Sequence, residues 1–153
     1  MASLIAPGNS VVSPEAHEHM TSLTPAVPDK VEILALVGAA LSWDVDSTAR
    51  PAVKDALDMA RQFTDYGRIV ADDLETQILS LPADSDLYIR SQATLGEVSR
   101  RLHLRPPVQS ASPQSAGKRA QNLARLVQAL NRTIGEVVRE QVRSRPVQAP
   151  QRE

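Results

Sequence analysis

Apolar residues recur at intervals of three and four along most of the chain between residues 29 and 143. This spacing places apolar side chains on one face of an α-helix, and it occurs here in four separate segments. The strict alternation of apolar and polar residues that is typical of a half-buried strand is absent from the sequence. The pattern therefore predicts an all-α protein, a three- to four-helix antiparallel bundle in which the second and fourth helices are long.

The first predicted helix begins at Asp29 and is short and unusually apolar. Asp29 and Glu32 have the spacing of a capping box, in which each side chain accepts a hydrogen bond from the other residue's backbone amide. The helix is expected to end within residues 44–47 and to lie between larger helices. Its buried stripe is expected to contain Ile33, Leu34, Val37, Leu41 and Trp43.

The second predicted helix runs from Pro51, a favourable first helical residue, to about Leu81, because Pro82 stops it. On its polar face each acid lies one helical turn from a base, which predicts a solvated charge ladder rather than a catalytic carboxylate pair. The ladder consists of Lys54, Asp58, Arg61, Asp65, Arg68, Asp72 and Glu75. The inward positions are Val53, Ala56, Ala60, Phe63, Gly67, Val70, Leu74 and Leu81.

The third predicted helix starts near Asp84, and residues 104–111 form a proline-containing linker to the fourth helix. Ser112 is the expected cap of that fourth helix, with Pro113 in its first turn. The buried positions of the third helix are Tyr88, Ser91, Leu95, Val98 and Leu102. The fourth helix carries a heptad seam of Ala116, Ala120, Leu123, Val127, Leu130, Ile134, Val137 and Gln141.

The two ends of the chain show no helical periodicity. Residues 1–28 contain four prolines together with several Ser and Thr residues, which predicts a disordered arm. Residues 29–143 are predicted to be the helical bundle domain. Residues 144–153, which contain Pro146 and Pro150, are predicted to be a disordered tail.

The composition narrows the chemistry and the compartment. The 153 residues include no Cys, so disulfides, thiol catalysis and cysteine-based zinc sites are excluded. No apolar run approaches the roughly 20 residues that cross a bilayer, and the start of the chain lacks the basic and apolar regions of a signal peptide. We therefore expect a soluble, cytoplasmic protein without a membrane partner.

Charge is distributed unevenly along the chain although the net charge is only −1. Residues 29–86 hold twelve acids and five bases, a net −7, whereas residues 87–153 hold four acids and twelve bases, a net +8. On the fourth helix a basic residue recurs at every seventh position, on the face farthest from the apolar seam. We name these four residues the basic stripe: Lys118, Arg125, Arg132 and Arg139.

Three interpretations of the basic stripe remain open from the sequence. The stripe is a solvated face, a contact surface for a protein partner, or a contact for nucleic acid. The nucleic-acid interpretation is disfavoured because no aromatic residues are interleaved with the basic ones and no helix-turn-helix is recognisable.

No sequence motif identifies a catalytic residue, a cofactor site or a metal site. The Glu-x-x-His signature of di-iron bundles is absent, and the six glycines form no phosphate-binding or dinucleotide-binding loop. His17 and His19 lie in the arm, where at most adventitious metal binding is expected. His103 is expected at the C-terminal end of the third helix, where the helix macrodipole favours a cationic residue.

Four glycines fall inside predicted helices: Gly38, Gly67, Gly96 and Gly135. Glycine inside a helix costs stability relative to alanine, so a packing or functional reason is expected for each. We predict close helix–helix approach at these positions. The alternative is that they leave a gap for a ligand.

Several segments resemble one protein family. Residues 41–44 (LSWD), 94–97 (TLGE), 100–102 (RRL) and 120–130 (AQNLARLVQAL) look like a family of small uncharacterised actinobacterial helical proteins labelled natural-product biosynthesis proteins. The resemblance covers about residues 31–140. It implies a link to secondary metabolism but supplies no catalytic residue, cofactor or substrate.

The sequence favours a non-catalytic helical accessory protein. Such a protein would bind another protein, or a second copy of itself, through its helical surface and the basic stripe. One alternative is a small-molecule binder or cryptic enzyme of natural-product biosynthesis, with a pocket near Trp43 and the helix glycines. The other alternative is a nucleic-acid-associated regulator.

Overall fold

The computed structural model describes residues 29–104 and 111–147. Helices account for 76% of these residues, and no strand occurs among them. The helices are α1 (Lys30–Leu41), α2 (Val53–Ile78), α3 (Asp86–Leu102) and α4 (Pro113–Arg143). The predicted all-α fold with long second and fourth helices is therefore confirmed. The predicted arm, most of the linker and residues 148–153 of the predicted tail lie outside the described residues.

Three helix starts follow from side-chain caps. The Asp29 side chain accepts a hydrogen bond from the Glu32 amide at 2.9 Å, and Glu32 accepts one from the Asp29 amide at 3.3 Å, which confirms the capping box of α1. Ser112 caps α4 by accepting from the Ser115 amide at 3.1 Å, as predicted. Ser85 caps α3 in the same way, and α3 therefore begins at Asp86 rather than near Asp84.

Two predicted helices are shorter in the structure. The chain at Ala52 is still extended and has no side-chain cap, so α2 begins at Val53 and not at Pro51. α1 ends at Leu41, before the predicted residues 44–47. Beyond it, Asp44 accepts a hydrogen bond from the Asp46 amide at 3.2 Å, and such local side-chain bonds favour turns over helix.

The two long helices pack against each other and run in the same direction. Tyr66 of α2 hydrogen-bonds Asn131 of α4, and eleven residues further along α2 the side chain of Gln77 meets Gln141 of α4. α1 and α3 pack separately against this pair. Both run opposite to it, so helices that are consecutive in the chain are antiparallel, as short connections favour.

The core lies along the contact between α2 and α4, and α4 contacts all three other helices. Because α4 is covered from several sides, its buried surface is wider than the predicted seam. Six of the eight seam residues are buried and Ile134 and Gln141 are partly buried, while four further positions are buried as well. These additional positions are Gly117, Gln121, Ala124 and Leu126.

The predicted buried face of α1 requires one correction. Leu34 is 41% exposed, whereas Ala40, which we did not predict to be inward, is fully buried. Because α1 is apolar on almost every side, spacing alone does not indicate which face packs on α4. Among the residues that the structure describes, none of the helices combines the length and apolar character that crossing a bilayer requires.

Candidate functional site

The basic stripe is exposed along its whole length. Lys118, Arg125, Arg132 and Arg139 all face solvent on α4. The first and last of them are 21 residues apart, which corresponds to about 31 Å at 1.5 Å per residue. Successive members rotate only about 20° around the helix. The stripe is therefore a long, nearly straight cationic ridge.

Little of the basic stripe is neutralised within the described chain. Lys118 Nζ lies 3.7 Å from Asp46 Oδ1 in the connection between α1 and α2. Arg125 donates to the Asn122 side-chain oxygen at 3.2 Å, a contact with a neutral group. No carboxylate of residues 29–104 or 111–147 lies within 4.0 Å of Arg125, Arg132 or Arg139. Within the described chain, three of the four stripe cations are therefore not paired with a carboxylate and face solvent.

The charge ladder of α2 pairs within its own helix. Asp58 contacts Lys54 at 2.9 Å and Arg61 at 3.2 Å, and Arg68 lies 4.0 Å from Asp65. The hydrogen bond between Lys54 and Asp58 raises the pKa of the lysine and lowers the pKa of the carboxyl. These pairs confirm the ladder between positions 54 and 68, where each base has a carboxylate of the same helix within 4.0 Å.

A second basic feature, which sequence reasoning missed, lies where the end of α3 meets the beginning of α4. We name it the α3–α4 cleft; it has a volume of about 580 Å³. The spacing of residues within one helix does not bring Arg101 and Arg119 together, because Arg101 lies on α3 and Arg119 on α4. Its lining residues are Arg101, Leu104, Ser115, Lys118, Arg119, Asn122 and Leu123.

The cations of the α3–α4 cleft are held by neighbouring groups. Arg119 donates to the Leu104 carbonyl at 3.4 Å, which ties α4 to the end of α3. The Arg101 Nε atom donates to Glu97, and this hydrogen bond lowers the pKa of the Glu97 carboxyl. Glu97 also pairs with Arg100, which is not part of the lining. The cleft therefore presents positioned cations and no acidic side chain in its described lining.

The helix glycines differ from the prediction. A Cβ atom at Gly67 would lie 3.4 Å from Leu102, so close approach is confirmed there. At Gly38, Gly96 and Gly135 a Cβ atom would meet nothing within 4 Å, so close approach was the wrong reason for these three glycines. The tightest contact is instead at Gly117, which was not singled out.

Near Trp43, where a ligand pocket is one alternative from the sequence, α4 contacts the end of α1 and the chain that follows it. Gln121 donates to the carbonyl of Ala40 at 3.0 Å and to that of Trp43 at 2.9 Å, which satisfies the C-terminal end of α1. A Cβ atom at Gly117 would lie only 2.8 Å from Val45, so α4 and the chain after α1 are in close contact.

The histidines supply no site within the described chain. His103 is the C-cap of α3, as predicted, and its Nδ1 atom lies 2.6 Å from the Ser99 carbonyl. His17 and His19 lie outside the described residues. Within the described ranges no group of three His, Asp or Glu side chains is placed to hold a metal ion.

Comparisons with known proteins return no relative. No protein-family model, no curated protein and no solved structure matches the chain. The resemblance to the actinobacterial proteins accordingly stays an expectation from the sequence.

Proposed function

We propose that this chain is a non-catalytic interaction protein that binds an acidic protein partner through the basic stripe. The observation that carries the proposal is the contrast in pairing between the two long helices. The bases at the start of α2 have carboxylates within reach on the same helix, whereas Arg125, Arg132 and Arg139 have none within 4.0 Å in the described chain. Such a ridge attracts an acidic surface.

The stripe suits protein recognition by its chemistry and by its rigidity. Arginine offers a planar fork that pairs with a carboxylate through two parallel hydrogen bonds, and three of the four stripe residues are arginine. They are carried by one continuous helix whose opposite face is buried in the core. Their spacing is therefore preset before the partner arrives, which reduces the ordering cost of binding.

The partner has an acidic surface, and a second copy of this chain is one protein that offers such a surface. Residues 29–86 carry the net charge of −7, and within them Asp72, Asp73 and Glu75 are exposed on α2. The resemblance to natural-product biosynthesis proteins supports a partner in secondary metabolism, with the protein acting in the cytoplasm as an accessory factor.

The decisive variant replaces the four stripe residues with Gln. Affinity capture from the native host with the wild-type chain identifies the partner, and titration with that purified partner measures the affinity. We expect the quadruple variant to bind more weakly, mainly through a slower association rate, with the largest difference at low salt. Size-exclusion chromatography at low and high salt tests the second-copy case with the same variant.

A charge-matched control replaces four exposed cations elsewhere with Gln, so that the net charge changes equally. Suitable positions are Lys30, Arg50, Arg100 and Arg145. We expect this control to bind the partner as the wild type does. Equal weakening by both variants would show that only net charge matters. Tight binding of duplex DNA with a steep salt dependence that the stripe variant abolishes would favour the nucleic-acid alternative instead.

A further inference from the structure

We propose that the α3–α4 cleft binds a small organic molecule that carries a phosphate group. The cleft overlaps the basic stripe at Lys118, and its other lining residues do not belong to the stripe. The juxtaposition that supports it is the convergence of Arg101 from α3 with Lys118 and Arg119 from α4 around one concave surface.

The charge of the cleft fits an anion with more than one negative charge. Three cations line it, and no carboxylate does so among the described residues. Two acids outside the lining contact these cations. Glu97 forms ion pairs with Arg101 and with Arg100, and Asp46 lies 3.7 Å from Lys118. A phosphate monoester carries a charge of about −1.5 to −2 at neutral pH and presents three acceptor oxygens. A carboxylate, with one charge, matches these donors less well.

Two neutral side chains in the lining keep hydrogens that they can donate. The Asn122 side-chain oxygen already accepts from Arg125 at 3.2 Å, which leaves the Asn122 amide hydrogens for another acceptor. The Ser115 hydroxyl accepts from the Ser112 hydroxyl at 2.9 Å, which leaves its own hydrogen to donate. Both groups therefore add donors to a site that is already cationic.

The position of the cleft on α4 adds to the attraction for anions. Ser115 lies in the first turn of this helix, which begins at Pro113. The N-terminal turn of a helix carries a partial positive charge that stabilises nearby anions. The charge of the side chains and that of the helix terminus have the same sign here.

The apolar part of the lining indicates an organic ligand rather than a free phosphate ion. Leu104 is 58% exposed at the end of α3, and the buried Leu123 contributes to the wall on α4. An apolar group attached to the phosphate would cover Leu104 and gain from the removal of this surface from water. The arrangement thus recognises an amphipathic phosphate ester.

Isothermal titration calorimetry with phenyl phosphate tests the site. We expect saturable binding at one site per chain, tighter by about tenfold than the binding of benzoate or of inorganic phosphate, which corresponds to about 1.4 kcal/mol. Benzoate keeps the apolar ring but carries one charge, and inorganic phosphate keeps the charge but lacks the ring. Equal binding of all three anions, or a Kd for phenyl phosphate above about 1 mM, contradicts the proposal.

Asn122→Asp is the sharpest variant because it adds one negative charge to the cleft with almost no change in shape. It also keeps the oxygen that accepts from Arg125. We expect it to weaken phenyl phosphate binding at least tenfold. Gln128→Glu adds the same charge at an exposed position of α4 outside the lining. We expect its Kd for phenyl phosphate to rise by no more than about twofold, because salt screens a charge that is not in the cleft.

Further variants keep the test decisive. If Asn122→Asp lowers the melting temperature, Lys118→Gln, at a side chain 55% exposed, replaces it and should still weaken binding. Arg132→Gln/Arg139→Gln, which removes stripe residues outside the cleft, should leave phenyl phosphate binding intact and weaken partner binding. Failure of one proposal is thus distinguished from failure of the other. Loss of phenyl phosphate binding in Arg132→Gln/Arg139→Gln overturns the assignment of the ligand to the cleft.

Discussion

α2 and α4 have charged residues at the same helical spacing, yet they use them differently. On α2 a base and an acid alternate, and Asp58 is contacted by both Lys54 and Arg61. On α4 the repeated position is basic each time, and Arg132 has no carboxylate within 4.0 Å in the described chain. A charged face stabilises its own helix when opposite charges alternate. When one sign repeats, the repeated positions form no such pairs with one another.

The buried faces of the same two helices differ in a related way. Each of the two contacts all three other helices; α2 buries eight residues, whereas α4 buries ten, which include the polar Gln121. α4 therefore combines a large share of the core with the basic stripe on its opposite face. Because the opposite face of α4 is held in the core, the stripe side chains start from backbone positions with fixed spacing.

The largest expected effect comes from the core that the two helices share. Leu130 on α4 and Leu74 on α2 are both fully buried, so truncation of either to Ala leaves a cavity. We expect each substitution to lower the free energy of unfolding by about 2–5 kcal/mol. Urea denaturation followed by circular dichroism measures this change.

Leu79→Ala is the matched control for the core substitutions, because Leu79 is 76% exposed. We expect a change below about 0.5 kcal/mol there. A loss at Leu130 as small as that at Leu79 would show that α4 is not docked on α2 in solution. The contrast between the two helices would then have no structural basis.

The next effect separates positions where α4 touches a neighbour from positions where it does not. Gly135→Ala should raise stability by about 0.5–1 kcal/mol, since the new methyl group meets open space within a helix. Gly117→Ala should lower stability, because its Cβ would lie 2.8 Å from Val45 and overpacking costs about 1–3 kcal/mol. Thermal melting of both variants shows whether each substitution raises or lowers the stability. Stabilisation by both would contradict the close contact at Gly117.

Much of the fold was predictable because local signals and burial agree. The capping box at Asp29, the Ser112 cap and the seam through Leu123 and Leu130 all depend on residues close in sequence, and all are confirmed. The failures occur where the local signal is degenerate. α1 is apolar on nearly every side, so the spacing could not show that Leu34 is exposed and Ala40 buried.

The candidate sites were less predictable, because a site depends on contacts between distant segments. Spacing alone predicted the basic stripe, since its residues share one helix. The α3–α4 cleft depends on Arg101 of α3 lying close to Arg119 of α4. No local sequence pattern predicts that the end of α3 packs against the beginning of α4. Likewise Gly117 gave no signal, because its contact with Val45 exists only after α1 and α4 have packed.

A smaller effect tests the contrast in pairing directly. Lys54→Gln/Arg61→Gln removes both partners of Asp58, so we expect a lower melting temperature at low salt and a smaller loss at high salt, where surface pairs are screened. Arg125→Gln/Arg132→Gln removes the same number of charges from α4 and should change stability by less than about 0.5 kcal/mol at either salt concentration. A salt-dependent loss in the α4 variant instead would show that the stripe is paired internally.

The smallest expected effect is the pH dependence of the pair between Lys54 and Asp58. The hydrogen bond from Lys54 lowers the pKa of Asp58 below its ordinary value of about 3.9, so the pair stabilises the fold above that pH. This contribution is lost as the pH falls through the lowered pKa, because the carboxyl is then protonated in the folded chain as well.

Asp58→Asn should therefore lower the melting temperature at neutral pH, and the melting temperature of this variant should fall less steeply as the pH becomes acidic. Arg125→Gln removes a stripe residue that has no carboxylate within 4.0 Å in the described chain, and it should leave the acid side of the melting curve unchanged. Melting curves of the three proteins between neutral and acidic pH measure this. An identical fall in melting temperature for the wild type and Asp58→Asn would show that the pair between Lys54 and Asp58 contributes nothing to folding.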